Sequence, residues 1–519
     1  MAQHRDTPTE RVARAYARIA DVQRPELWTC LRPAEAALGD ASALADRLAA
    51  GEELPLAGLT LAVKDNIDVA GLPTTAGCPG FAYRPEHSAP AVAQLIGAGA
   101  IVLGKANLDQ FATGLVGTRS PHGAVRDARR PEFVSGGSSS GSAVAVALGI
   151  ADIGLGTDTA GSIRVPAAFQ GLVGVKPTIG LVSTSGVVPA SRSLDCVGVL
   201  TRELDLGRQV LALLAQESAR RWPLDAPLAA PPCARIGVPD ALPELSDEAC
   251  ERYGAVVEKL REAGHEMVEF ELEPFLEAGR LLYGGAFMAE RYAAVGAYIS
   301  HHPSKVNPTV SSIILSAGSI PAHAWVADME RLEGVRHQAE AAMAGLDALL
   351  MPTTLRQPSI AEVEADPIDA NTPLGLYSTA ANLLDMCAVA VPAGEADGGQ
   401  FGVTLLGRAF ADGLVGDLAA DLLGEPRVAP PLACAPQVTL WVTGAHRRGE
   451  ALNVQLTNRG GALVGAASAA SGDEGELWVL APARLADFVA ELSPPMAVGP
   501  VALADGRAVT GIVHVTEAM

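Results

Sequence analysis

From residue 59 onward the chain alternates short apolar runs of strand length with helix-length stretches, and this alternation constrains its fold more than any other feature. Residues 59–63 and 100–103 read as strands, and residues 91–97 and 139–148 as helices. The later apolar runs 234–238, 346–351 and 388–391 extend the same sheet rather than begin a new fold, so the class is α/β. Hydrophobic residues make up 49% of the chain but aromatics only 4%, so the interior must be built mainly from Ala, Val, Leu and Ile. Residues 8–50 are Ala-rich with charges at helical spacing, as in 11–20 and 41–50, and are expected to pack against the core without taking part in chemistry.

Between Glu425 and Gln437 four prolines deny the chain both helix and central strand. The organisation expected is therefore a large unit over 1–425, a proline-rich linker over 426–437 and a small α+β domain over 438–519. In the last, residues 440–442, 476–480 and 511–515 are predicted strands and 482–491 a helix.

The net charge of −21 opposes binding to nucleic acid or to an anionic membrane surface, and a small anionic ligand would need a local cationic anchor. Seven cysteines, Cys30, Cys78, Cys196, Cys233, Cys250, Cys387 and Cys434, are scattered and never spaced C-x-x-C, which argues against disulfides and structural zinc. With no apolar leader at the N-terminus and no run near the ~20 residues needed to span a bilayer, a soluble cytoplasmic protein is expected. His301 and His302 lie in no H-E-x-x-H pattern and read as surface residues, so neither metal nor cofactor is expected. The oligomeric state is open, a homodimer included.

The chemistry concentrates between Gly136 and Phe169, where three serines and a glycine turn lead into an apolar helix and then to a glycine-bounded serine, Ser162. One reading makes Gly137-Ser138-Ser139-Ser140-Gly141 a nucleophile elbow with Ser139 attacking. An elbow should follow a buried apolar strand, and the preceding Arg129-Arg130-Pro131 segment is charged and proline-broken, so this match is set aside.

The alternative is that the segment resembles the amidase signature in order and spacing from Gly136 through Pro166. Ser162 follows Ser138 by 24 residues, and Lys64 ends the apolar stretch LTLAVK upstream. The resemblance implies a central mixed β-sheet covered by helices, with Ser162 as nucleophile and Lys64 and Ser138 as its activating pair. The chemistry agrees. A hydroxyl that attacks an amide must lose its proton to a base, and a lysine can accept it only when burial keeps the amine neutral. Ser138 can donate and accept at once and so relay the proton, with Ser139 supporting the network. The backbone at Thr159, Ala160, Gly161 and Ser162 is expected to bind the oxyanion. Taken singly, Lys64 would be a solvated partner of Asp65, Ser138 a helix N-cap and Ser162 a turn residue; their joint order overturns those readings. Asp158 and Arg164 are expected to brace the turn, and Cys78 and Cys196 to serve as core or wall residues.

Within that family the chain is similar to allophanate hydrolases, on residues 55–83, 105–123, 191–199 and 374–394. That resemblance implies hydrolytic deamination of allophanate. The stretch GRLLYGGAFMAERYAAV resembles the segment that recognises the substrate carboxylate, which carries over to Tyr283 and Arg291. A helix bent at Gly284-Gly285 would bring both to one ligand over a rise of ~12 Å, with the Arg291 fork as the cationic anchor. Without the resemblance, Arg291 would be a surface partner of Glu290. Two departures stand out. Ile163 occupies a position that is often glycine, and the C-terminal piece resembles a glutamyl-cyclotransferase-like domain shortened in its middle, which points to a structural or assembly role. Other readings are a related small-amide amidase, for instance on carboxybiuret, the glutaminase subunit of a tRNA-dependent amidotransferase, or a catalytically dead scaffold.

Overall fold

The computed structural model describes residues 6–216, 220–427 and 432–514. Eleven strands form one sheet: β1 (Trp28–Leu31), β2 (Thr60–Lys64), β3 (Ile101–Ala106), β4 (Ile153–Asp158), β5 (Val173–Lys176), β6 (Cys196–Thr201), β7 (Arg235–Pro239), β8 (Glu266–Phe270), β9 (Ala348–Pro352), β10 (Met386–Ala396) and β11 (Gly399–Arg408). Their order is β1-β3-β2-β4-β6-β5-β10-β11-β9-β7-β8. Strands β3, β2 and β4 run parallel, as do β9, β7 and β8, while the pairings between those two groups are antiparallel. The sheet is therefore mixed, as expected.

Successive side chains of a strand point to opposite faces, and the apolar runs use both. Leu61 and Val63 of β2, Val197 and Val199 of β6, and Val389 and Val391 of β10 pack with the helices Pro90–Gly97, Leu204–Leu214, Asp247–Glu262 and Asp412–Leu423. Ala62, Leu200 and Ala390 face the helices Pro8–Val22, Ser140–Ala147 and Arg164–Gln170. Burial on both faces is why these strands read as continuous apolar runs rather than as alternation. Helix Ser140–Ala147 is buried from Ser140 through Val146, which accounts for its small side chains.

A second sheet, ordered β13-β14-β12-β16-β15, comprises β12 (Val438–Val442), β13 (Ala462–Ser468), β14 (Glu474–Leu480), β15 (Met496–Ala502) and β16 (Ala508–His514). With helix Pro482–Ala490 it closes a core of Leu440, Val442, Leu456, Trp478, Leu480 and Phe488. It joins the larger body where Leu228 N–H and Ala229 N–H donate to Gly460 O and Ala483 N–H to Leu224 O. Residues 428–431 of the expected linker, and residue 515 of the expected last strand, lie outside the described residues.

One local expectation is corrected. No single bent helix runs from Tyr283 to Arg291: helix Glu273–Gly284 stops, Gly285 is extended at φ −117° and ψ −170°, and a new turn, Met288–Arg291, leads into a π-helical segment, Tyr292–Gly296. The glycine pair ends the helix instead of kinking it, and a Cβ at Gly285 would stand 2.6 Å from Leu281 O and from Asp328 Oδ2. Among the described residues no single helix is long and apolar enough to cross a membrane.

Candidate active site

Lys64 ends β2 with its side chain fully buried, pointing between β4 and the serine-rich turn. Its amine donates to Ser138 Oγ at 2.8 Å, to Thr157 Oγ1 at 2.7 Å and to Thr157 O at 3.4 Å. Burial pushes this amine down to about 7, against the opposing pull of Asp109, Asp158 and Asp195. Asp65 is not its partner; that carboxylate pairs with Lys105 at 2.9 Å. The solvated ion pair is thus absent, and Lys64 is left among hydroxyls.

Ser138 follows Gly137 through a cis peptide bond. The N-cap of the helix that follows is Ser139, and no side-chain capping bond is formed there. Ser139 Oγ instead spans β4, donating to Thr157 O at 3.1 Å and accepting from Thr157 N–H at 3.3 Å, while Ser139 N–H donates to Ser162 O at 3.2 Å. A hydroxyl so committed, with no buried strand before it, does not form a nucleophile elbow. These bonds tie the Ser138 turn and the Ser162 turn to the same strand.

The Ser162 turn leaves the end of β4. Gly161 adopts φ +124°, and a Cβ there would meet the Ser378 side chain, so glycine is required on both counts. Asp158 holds the turn from beneath, accepting from Gly161 N–H at 2.9 Å and Ile163 N–H at 3.0 Å while pairing with Arg164 at 2.8 Å. Burial pushes the Asp158 carboxyl up, but Arg164, Lys176 and the Ile163 N–H outweigh it and hold it at about 2. Gly161 N–H is committed to Asp158, whereas among the described residues the N–H groups of Ala160 and Ser162 donate to no protein acceptor. Thr159 contributes its hydroxyl, donating to Asp195 at 2.5 Å. Ile163 fits because Gly156 and Gly198 face it from β4 and β6; a Cβ on either would stand within 2.9 Å of its side chain.

Both members of the Asp158–Arg164 pair are fully buried. Asp158→Ala would leave the buried guanidinium without its counter-charge and three backbone N–H donors without their acceptor, and we expect a loss of about 3–5 kcal/mol of stability, read as a fall in the denaturant midpoint. An unchanged midpoint would mean that the pair braces nothing.

Arg291 is 2% exposed and turned inward, its Nη1 donating to Ala112 O at 3.2 Å and Thr113 Oγ1 at 3.0 Å, and its Nη2 to Tyr283 Oη at 3.4 Å. Its Nε is buried and meets no acceptor among the described residues. Glu290, its neighbour in sequence, is engaged elsewhere, with Ser191 and Ser193. Tyr283 is 40% exposed and lines a cavity of about 400 Å³ with Thr113, Gly114, Leu115, Arg119 and Asn371. The break at Gly285 therefore still delivers both side chains to one place. A larger hollow of about 730 Å³ lies elsewhere, lined among others by Arg220, Arg336 and Arg408.

Thr157, Asn66 and Asp195 were not singled out by the sequence. Thr157 stands within the signature itself, in GTDTAGS, so position in the motif was the available signal. Cys196 Sγ lies 3.5 Å from the Lys176 amine, Cys78 Sγ is 3.4 Å from Lys305 O, and all seven cysteines are free. His301 and His302 are exposed, each with Nδ1 on a helical carbonyl. His446 is buried against Phe488, with Nε2 3.1 Å from Gln455 Oε1, and burial pushes its pKa down.

A large mixed sheet, a buried lysine at a strand end and two serine turns held to one neighbouring strand define a class, and the chain belongs to the amidase family, whose model matches residues 10–415. Within that family it is of the allophanate hydrolase type: the model of the allophanate hydrolase C-terminal domain matches residues 462–519. The structure of Kluyveromyces lactis allophanate hydrolase superposes with a TM-score of 0.88 at 33% identity, covering 98% of this chain and 93% of that one. The urea amidolyase of Lachancea kluyveri is 44% identical over 382 residues, 71% of this chain, and the chain spans only 21% of that protein's length. A glutamyl-tRNA(Gln) amidotransferase subunit from Halobacterium salinarum is 33% identical over 409 residues, 70% of this chain and 95% of its own length.

Proposed function

We propose that the protein hydrolyses allophanate, releasing ammonia through an acyl-enzyme on Ser162. The observation that carries this reading is the pairing of a neutral-amine base network with a buried arginine beside a small cavity. In the step envisaged, the neutral Lys64 amine keeps its N–H bonds to Thr157 Oγ1 and Thr157 O, and the 2.8 Å contact with Ser138 reverses, the Ser138 hydroxyl donating to the amine's lone pair. Ser138 passes its proton to Lys64 as it takes that of Ser162, whose oxygen attacks the terminal ureido carbonyl. The N–H groups of Ala160 and Ser162 receive the oxyanion. The proton then returns to the leaving amine, ammonia departs, and water resolves the acyl-enzyme to the N-carboxylated carbamate.

Arg291 would hold the substrate carboxylate, with Tyr283 adding a hydrogen bond; this supplies the cation that a chain of net charge −21 needs for an anion. Arg291→Ala is expected to lower kcat/KM on allophanate by more than about tenfold, since truncating one partner of a buried charge pair costs about 2–5 kcal/mol. Labelling of Ser162 by a fluorophosphonate should persist, and Arg291→Lys should restore only part of the activity because a point charge lacks the fork. Equal losses on charged and neutral amides would assign Arg291 to the fold instead. The C-terminal sheet we assign a structural role, supported by its main-chain bonds to residues 224–229. The test of the whole reading is ammonia release from allophanate, biuret, malonamide, glutamine and acetamide in parallel; preference for glutamine would favour the amidotransferase-type activity, and no release from allophanate would overturn the proposal.

A further inference from the structure

Asp109 is fully buried in the loop after β3, and the mechanism above gives it no part. Its carboxylate gathers three backbone donors of the following loop: Oδ1 accepts from Arg119 N–H at 3.0 Å, and Oδ2 from Gly117 N–H at 2.9 Å and Val116 N–H at 3.3 Å. That loop carries the groups on which Arg291 rests, Ala112 O and Thr113 Oγ1, and Arg119 Nη1 closes it by donating to Thr113 O at 3.0 Å. Phe111 and Ala112 are non-glycine residues at φ 51° and 53°, a left-handed conformation that persists only where surrounding bonds fix it.

The same carboxylate lies against the Ser138 turn. A side chain on Gly137 would collide with Asp109 Oδ2 and stand 2.8 Å from Gly117 N, so the loop and the peptide leading into Ser138 are in direct contact. No salt-bridge partner holds Asp109 among the described residues. One buried carboxylate thus touches both the support of the anion anchor and the residue before the relay serine.

We infer that Asp109 is a positioning residue for this reaction, fixing the Ala112–Thr113 support of Arg291 and the Gly137–Ser138 turn against each other. The inference rests on the proposed deamination and adds to it a physical link between carboxylate recognition and the base network. The charged groups that bear on the Lys64 amine are Asp109, Asp158, Asp195 and Arg291, and Asp109 is the foremost of the carboxylates that favour its protonated form. Loss of the Asp109 charge therefore disfavours the ammonium and should move the acid limb of the rate downward, even as lost positioning lowers the plateau. A bond that merely holds the fold together would lower the plateau without that shift, and water entering a loosened site would move the limb upward by relieving desolvation.

The test is the pH dependence of kcat and KM on allophanate for Asp109→Asn and Asp109→Ser in the full chain, with fluorophosphonate labelling of Ser162 followed over the same range. We expect the plateau of kcat to fall at least about tenfold, KM to rise, and the acid limb of both turnover and labelling to move down by roughly half a pH unit or more. A limb that stays in place or moves up in a folded variant overturns the inference, as does failure of both variants to fold, which would make Asp109 a structural residue alone. If the wild-type protein labels at Ser162 but does not turn over allophanate, the substrate assignment fails, and the limb of the labelling reaction still decides the role of Asp109.

Discussion

Ser162→Ala is expected to abolish ammonia release and covalent labelling while leaving the fold intact, a loss of at least about 10⁴-fold in kcat by comparison with other removed nucleophiles. The side chain is buried at the head of a turn whose geometry is set by other groups: Asp158 beneath it, Ser378 Oγ donating to Ala160 O at 2.7 Å, and the φ of Gly161. Among the described residues Ser162 is bonded through its main chain, its carbonyl accepting from Ser139 N–H. Removing one hydroxyl therefore deletes the proposed nucleophile without deleting a support, and stability should stay within about 0.5 kcal/mol of the parent, as for changes that create no cavity and break no network. Near-parental turnover by Ser162→Ala would transfer the nucleophile elsewhere. Ser139, the nearest rival in sequence, is already spent on both main-chain groups of Thr157.

Several strands of the large sheet were legible because their physical signal is local. Residues 59–63 and 346–351 are apolar but for Thr60 and Asp347 since both sides of the sheet are covered, and the observed β2 and β9 fall within two residues of them. By contrast β1, β4, β5, β6, β8, β11, β13 and β15 were not anticipated. The four residues of β1 are mostly half-buried, and β13 is an Ala- and Gly-containing edge strand with Val464 in solvent, so neither carries an apolar period. The candidate site divides in the same way. Lys64, Ser138 and Ser162 stand in motifs whose order can be read along the chain, whereas the contacts of Asp109 with Gly137 and of Arg291 with Ala112 join segments far apart in sequence. The interruption between Tyr283 and Arg291 was hidden for a further reason. A Gly-Gly pair is compatible with a bent or an ended helix, and only the packing of Phe287 and Met288 into the interior decides between them.

Lys64→Ala should be nearly as damaging as loss of Ser162, because general-base catalysis contributes about 10²–10⁴-fold. Among the described residues Ser138 Oγ is joined by a side-chain bond to Lys64 alone. The parent enzyme should reveal the same group through pH. Burial lowers the Lys64 amine to about 7, so above that value it is neutral and offers a lone pair, while below it the amine binds a proton and the base is lost. The rate should therefore be level on the alkaline side and fall toward acid, approaching tenfold for each pH unit below the limb. This sign is opposite to that of a mechanism needing a lysine cation to stabilise the oxyanion, in which activity would rise on acidification through the same range. Lys64→Arg is expected to fail as completely as alanine, since a guanidinium stays protonated and cannot accept. A flat profile between about pH 5 and pH 9 with chemistry limiting, or substantial activity in Lys64→Arg, would remove the neutral amine from the mechanism.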